Sequence, residues 1–96
     1  MIKHVVCFKL NEGESKEKAK EVLLSMQGNV PMLKGIEVGV DELKSNRSFD
    51  VMLTVLLDDF NALNDYQDDA YHSGVVKKYM NAVTEKIISM DYTIEK

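Results

Sequence analysis

The stretch Val51-Met-Leu-Thr-Val-Leu-Leu57 leaves little freedom in what this chain can become. It is rich in β-branched and large aliphatic residues and holds no Gly or Pro, which predicts a strand. Side chains alternate across a strand, so Val51, Leu53, Val55 and Leu57 share one face. The other face carries Asp50, Met52, Thr54, Leu56 and Asp58, polar at its ends and largely apolar between them. A strand that is apolar on one face and half-apolar on the other is expected to be covered on both. With 96 residues the chain has enough material for one layer of helices, and hardly for two. The second face then asks for another copy of the chain.

Composition narrows the class. Apolar residues at 45% and charged residues at 29% belong to an ordinary folded protein, here one domain over residues 1–96. The formal net charge of −4, with no compensating Lys or Arg run, speaks against nucleic acid as a partner. No apolar run approaches the ~20 residues that span a bilayer, so no membrane association is expected. Cys7 is the single cysteine, which excludes an internal disulfide and a cysteine-cluster zinc site. No signal-peptide cleavage pattern follows the N-terminal residues, and a reduced, cytoplasmic setting is the expectation.

Taken in order, Ile2 to Leu10 predicts a first strand, with Ile2, His4, Val6, Phe8 and Leu10 on one face. Lys3, Val5, Cys7 and Lys9 form the other, apolar at its centre. Ser15 is placed to cap a helix in which Ala19, Val22, Leu23 and Met26 recur at helical spacing, with Gly28 as its terminator. Lys34 to Val40 alternates as a second strand and forms a hairpin with the Val51–Leu57 strand. Asp58 and Asp59 can cap a helix carrying Phe60, Leu63 and Tyr66. Gln67 to His72 interrupts it, with no Pro or Gly to say why. Ser73 restarts a helix with Val75, Val76, Tyr79, Met80 and Val83 inward, and Lys86 to Ile94 closes the chain as a strand with Ile88, Met90, Tyr92 and Ile94 on one face.

The order β-α-β-β-α-β, joined by right-handed crossovers, is the ferredoxin-like arrangement of the α+β class. It puts the first and third strands in the centre of the sheet and both helices on one face. Val5, Cys7, Met52, Thr54 and Leu56 would then stand on the open face, where a homodimer buries them. Each large apolar side chain so covered contributes roughly 1.5–3 kcal/mol.

The ordered set Ile2-Lys-His-Val-Val-Cys-Phe-Lys9, Glu37-Val-Gly-Val-Asp41, Arg47-Ser-Phe-Asp50, Ala62-Leu63 with Tyr66, His72 with Val75-Val76, and Asp91-Tyr92 resembles the stress-responsive A/B barrel (Dabb) family over essentially the whole chain. The resemblance implies a ferredoxin-like protomer whose sheet packs on a second protomer's sheet as a homodimeric α/β barrel. Many bacterial members of the family have no assigned chemistry. A plant branch contains a polyketide cyclase that makes olivetolic acid, in which a first-strand histidine, a tyrosine and a later histidine line a pocket between sheet and helices. The matching positions are His4, Tyr66 and His72. Where the family commonly reads His-Pro-x-His, this chain has Asp69-Ala-Tyr-His72.

Read as chemistry, His4 is a polar ring on an apolar strand face: an acid, base or orienting group, or a core histidine satisfied by a neighbour. His72 beside a helix start has its charged form disfavoured by the helix dipole, which suits a neutral base; it is equally placed as an exposed cap residue. Tyr66 offers a phenol for a carbonyl or enolate oxygen, or an aromatic packed on the sheet. Val6, Phe8, Val22, Leu23, Met26, Leu53 and Val55 would shape a pocket for a small apolar or aromatic molecule, or fill it. Asp68, Asp69 and His72 are too few converging ligands for a metal site, so none is expected. There is no phosphate-cradling Gly-rich loop, nucleophile elbow or nucleotide fingerprint, and no cofactor is expected. Three readings stand side by side: a ligand-binding homodimer, a polyketide-cyclase-like enzyme with a His/Tyr acid–base pair, and an interaction dimer without a pocket.

Overall fold

Four strands, β1 (Ile2–Leu10), β2 (Gly35–Val40), β3 (Val51–Leu57) and β4 (Thr84–Thr93), form one antiparallel sheet in the order β2-β3-β1-β4 in this computed structural model, which describes residues 1–95. The helices are α1 (Lys16–Leu24), α2 (Phe60–Asp68) and α3 (Lys78–Val83), and between the last two a π-helical segment, His72–Lys77, runs directly into α3. The two strands with the strongest alternation, β1 and β3, are the central pair. Buried and part-exposed residues alternate along β1 without a break.

Burial follows the pattern of the sequence. Ile2, Val6, Phe8 and Leu10 from β1 and Val51, Leu53, Val55 and Leu57 from β3 form the floor of the core. Ala19, Leu23 and Met26 cover it from the α1 side; Tyr66, Val76, Met80 and Val83 cover it from the other. On the far side of the sheet Val5, Cys7, Thr54 and Leu56 are part-exposed, and Met52 is 44% exposed. Ile88 at 48%, Met90 at 65% and Tyr92 at 39% extend that open apolar face along β4.

Capping explains where helices begin. Ser15 accepts a hydrogen bond from the Lys18 amide at 3.0 Å, and Asp59 accepts one from the Ala62 amide at 2.8 Å. The break after α2 has the same origin. Asp69 turns extended, with ψ 132°, and its carboxylate accepts from the amides of Tyr71 at 2.9 Å and His72 at 3.0 Å. One aspartate thus ends one helix and caps the next, which is the work that needs neither Pro nor Gly.

Several expectations are corrected. The second helix restarts ahead of Ser73, because Asp69 supplies the cap. Val75 is 47% exposed rather than inward; of the two adjacent valines only Val76 enters the core, sharing a face with Met80 and Val83. Phe60, at the first position of α2, is 51% exposed and adds nothing to the core. α1 ends at Leu24 and passes through tighter turns before Gly28, whose φ of 86° suits only a residue without a Cβ. β4 begins at Thr84, and Ile94 lies beyond its end.

Asp50 fastens the wide β2–β3 hairpin to β1. Its amide donates to the Phe8 carbonyl at 2.9 Å, its carbonyl accepts from the Asp41 amide at 2.9 Å, and its carboxylate accepts from the Leu10 amide at 2.8 Å. The Lys16 ammonium stands 3.5 Å from the same carboxylate. Asp50→Ala leaves the Leu10 amide without its partner and should lower stability by about 1.5–3 kcal/mol, read from the urea midpoint, with Asp50→Asn losing less. An unchanged midpoint would show that the clasp contributes nothing.

Candidate functional site

The antiparallel register of β1 and β4 pairs Phe8 with Ile87, Val6 with Ser89 and His4 with Asp91. These β4 residues therefore share the helix-covered side with His4. Asp91 and His4 use that placement: the carboxylate hydrogen-bonds the imidazole Nδ1. His4 is 6% exposed, so its polar ring is buried with a partner. With Nδ1 held by Asp91, Nε2 is the ring nitrogen left for another partner.

Tyr66 reaches the same place from the inner side of α2. It is fully buried, and its ring stands between the two histidines, 5.5 Å edge-on from His4 and 4.2 Å from His72 between ring centroids. Its hydroxyl points elsewhere, donating to the Met26 thioether at 3.7 Å. Burial, aided by the negative charge of Asp69, pushes the phenol well above its ordinary range, so it stays O–H.

His72 opens the π-helical segment. Burial lowers its pKa below 6.5, and the ammonium of Lys77 adds to the effect, as does His4. The Gln67 carbonyl and, least of all, Asp69 act in the opposite direction. The ring is therefore neutral at neutral pH. Its Nδ1 is buried and has no hydrogen-bond partner among the described residues.

His4, Tyr66 and His72 border one half-open cavity of about 180 Å³ between the sheet and the α2–α3 side. Of the residues expected to shape a pocket, Val6, Phe8, Leu23 and Leu53 line it. Val22, Met26 and Val55 do not. Met26 stands behind Tyr66 as the acceptor of its hydroxyl, Val55 is wholly enclosed in the core, and Leu23 is the α1 residue that reaches the wall. Val76 and Met80 complete the floor, while the exposed Gln67, Lys77, Asn81, Ile87 and Ser89 make the rim. Sequence reasoning missed Asp91 and the rim. Asp91 was legible in principle, since pairing the closing strand antiparallel to β1 puts it across from His4. Val5, Cys7, Met52, Thr54 and Leu56 are on the opposite side of the sheet. No group of three or more His, Cys, Asp or Glu side chains able to hold a metal occurs among the described residues, and no helix there is long and apolar enough to cross a membrane.

A sheet in this order with helices on one face defines a ferredoxin-like protomer. The model of the stress responsive A/B barrel domain matches residues 2–94, and the chain belongs to that family. Among solved structures, a protein from Arabidopsis thaliana superposes with a TM-score of 0.84 at 18% identity, over 100% of this chain and 97% of that one. A dimeric ferredoxin-like protein of unknown function from Thermobifida fusca gives 0.82 at 19% identity, over 97% and 90%. Hydroxynitrile lyase from Passiflora edulis gives 0.76 at 17% identity, over 99% and 94%. No curated protein matches the chain.

The part-buried, neutral His72 makes stability depend on pH. With its folded pKa lowered, the unfolded chain takes up this proton first as pH falls below about 6.5. Its contribution is complete above that pH and lost progressively toward the lower folded value. The imidazole titration followed by NMR should show a midpoint below 6.5 for His72, and His72→Gln should flatten the fall of Tm between about pH 7 and 5. A midpoint at or above the ordinary value would contradict this geometry.

Proposed function

We propose that the protein is a homodimer in which each protomer binds a small aromatic or similarly sized apolar molecule between its sheet and helices. The observation that carries this reading is the cavity itself, apolar at its floor and bordered by two histidines and Tyr66. A cavity of about 150 Å³ lined by aliphatic and aromatic residues accommodates benzene, so about 180 Å³ fits one ring with a short substituent. The open cavity disfavours an interaction dimer with a filled core. Self-association is supported by the apolar residues left on the far side of the sheet, Met52, Ile88, Met90 and Tyr92, and by the dimeric neighbour from Thermobifida fusca.

A second reading, proton transfer on the bound molecule, is favoured by Asp91. A carboxylate on Nδ1 fixes the imidazole's orientation and tautomer, which leaves Nε2 of His4 to remove a proton. This gives the base role to His4 rather than to His72. The neutral His72 borders the cavity and is suited to meeting an oxygen on which charge develops. Tyr66 packs against both rings, its hydroxyl engaged with Met26. That the Passiflora edulis neighbour is a lyase supports chemistry on this fold, not a particular reaction here.

Acetophenone, a single ring with a carbonyl and exchangeable α-protons, probes both readings. Its titration should shift the His4 and His72 ring resonances, and Ser89→Phe, which fills the rim from an exposed position, should abolish the shifts. In D2O the bound ketone should exchange its methyl protons faster than in buffer, and Asp91→Asn should slow that exchange by roughly 10²–10⁴-fold. No shift at millimolar ketone would end the binding reading; binding without exchange would end the catalytic one.

Sedimentation should give a dimer at micromolar concentration and a monomer after Met52→Glu with Leu56→Glu. A wild-type monomer would remove the dimer from this account.

A further inference from the structure

We infer that the cavity's ligand is an anion: Lys77 at the rim selects single-ring carboxylates over neutral molecules of the same shape. This rests on the cavity reading above and adds the charge of what enters. The chain is acidic, with 16 Asp and Glu against 12 Lys and Arg, yet no acidic residue lines this cavity. Two carboxylates that touch cavity residues or their backbone are already engaged. Asp91 holds His4, and Asp69 holds the amides of Tyr71 and His72. Lys77 lines the cavity and forms no ion pair among the described residues.

The position of Lys77 follows from how its segment is wound. His72 and Lys77 are five residues apart. On an α-helix, at ~100° per residue, they would point about 140° away from each other. A π-helix bonds residue i to i+5, which brings the two onto one side. Both border the cavity, and the ammonium is close enough to act on the ring of His72. Gln67, Asn81 and Ser89 supply further hydrogen-bonding groups at the rim.

An apolar floor below a cation and a polar rim matches a molecule with an apolar ring and one negative end. The carboxylate would meet Lys77 at the rim, where water and salt still reach it, so the preference is salt-dependent. Lys77 is thus a specificity-determining residue and takes no part in proton removal.

Benzoate and benzamide, nearly equal in shape and different in charge, make the test. Titrated into the wild-type protein at low salt, benzoate should bind about tenfold more tightly than benzamide, a gap that narrows at 150 mM salt. In Lys77→Gln, an exposed substitution that leaves the core alone, the ratio should fall to about one, with benzoate affinity falling about tenfold more than that of benzamide. Equal affinities in the wild type, or a ratio that survives Lys77→Gln, would overturn the charge selection while bound benzamide leaves the cavity reading standing. If neither molecule binds, both readings fall.

Discussion

The pairing of β1 with its two neighbours is the constraint from which the site follows. β1 is matched to β3 from Ile2 to Phe8 and to β4 from Ile2 to Leu10. Side chains repeat every two residues, so a slip of one position would turn Lys3 and Lys9 inward and Val6 and Phe8 outward. Burying two unpaired ammonium groups costs far more than any local preference could recover. Apolar burial therefore selects the register. The register in turn brings His4 across from Asp91, although neither residue contributes an apolar side chain to that choice.

Much of the architecture was visible in the chain because alternation and helical spacing are local signals. The central strands, their half-apolar second faces and the caps at Ser15 and Asp59 could all be read within a few residues. The partner of His4 could not be read locally, since Asp91 lies 87 positions away and enters only through a strand pairing. Tyr66 shows a different limit. Spacing puts it on the inner side of α2, but nothing in the sequence says that its hydroxyl passes the cavity and ends on Met26. Val22 and Met26 share a helix face with Leu23 by periodicity. Which one reaches a cavity wall depends on how α1 lies across the sheet, and that is a tertiary fact. Val75 went astray for a related reason: which of two adjacent valines faces the core is settled by how the helix lies on the sheet.

Core and site share residues in this fold. Tyr66 is fully enclosed, as a core residue should be, and also lies between the two rings that border the cavity. Val6, Phe8 and Leu53 likewise belong to the hydrophobic cluster and to the cavity floor. Changes that enlarge the cavity from below therefore act on stability as well, whereas the rim, carried by exposed positions, can vary with little effect on folding.

The π-winding from His72 to Lys77 has a consequence for how such a chain can change its length. A π-turn houses one more residue per turn than an α-turn, so a helix can take up an insertion there without passing it along. Beyond the bulge, Met80 and Val83 keep their inward phase, and Thr84 still enters the sheet where Leu10 awaits it. The bulge resembles an expansion joint: were length added upstream, a wider turn here would be the place to take it up before it reached the register that holds Asp91 to His4.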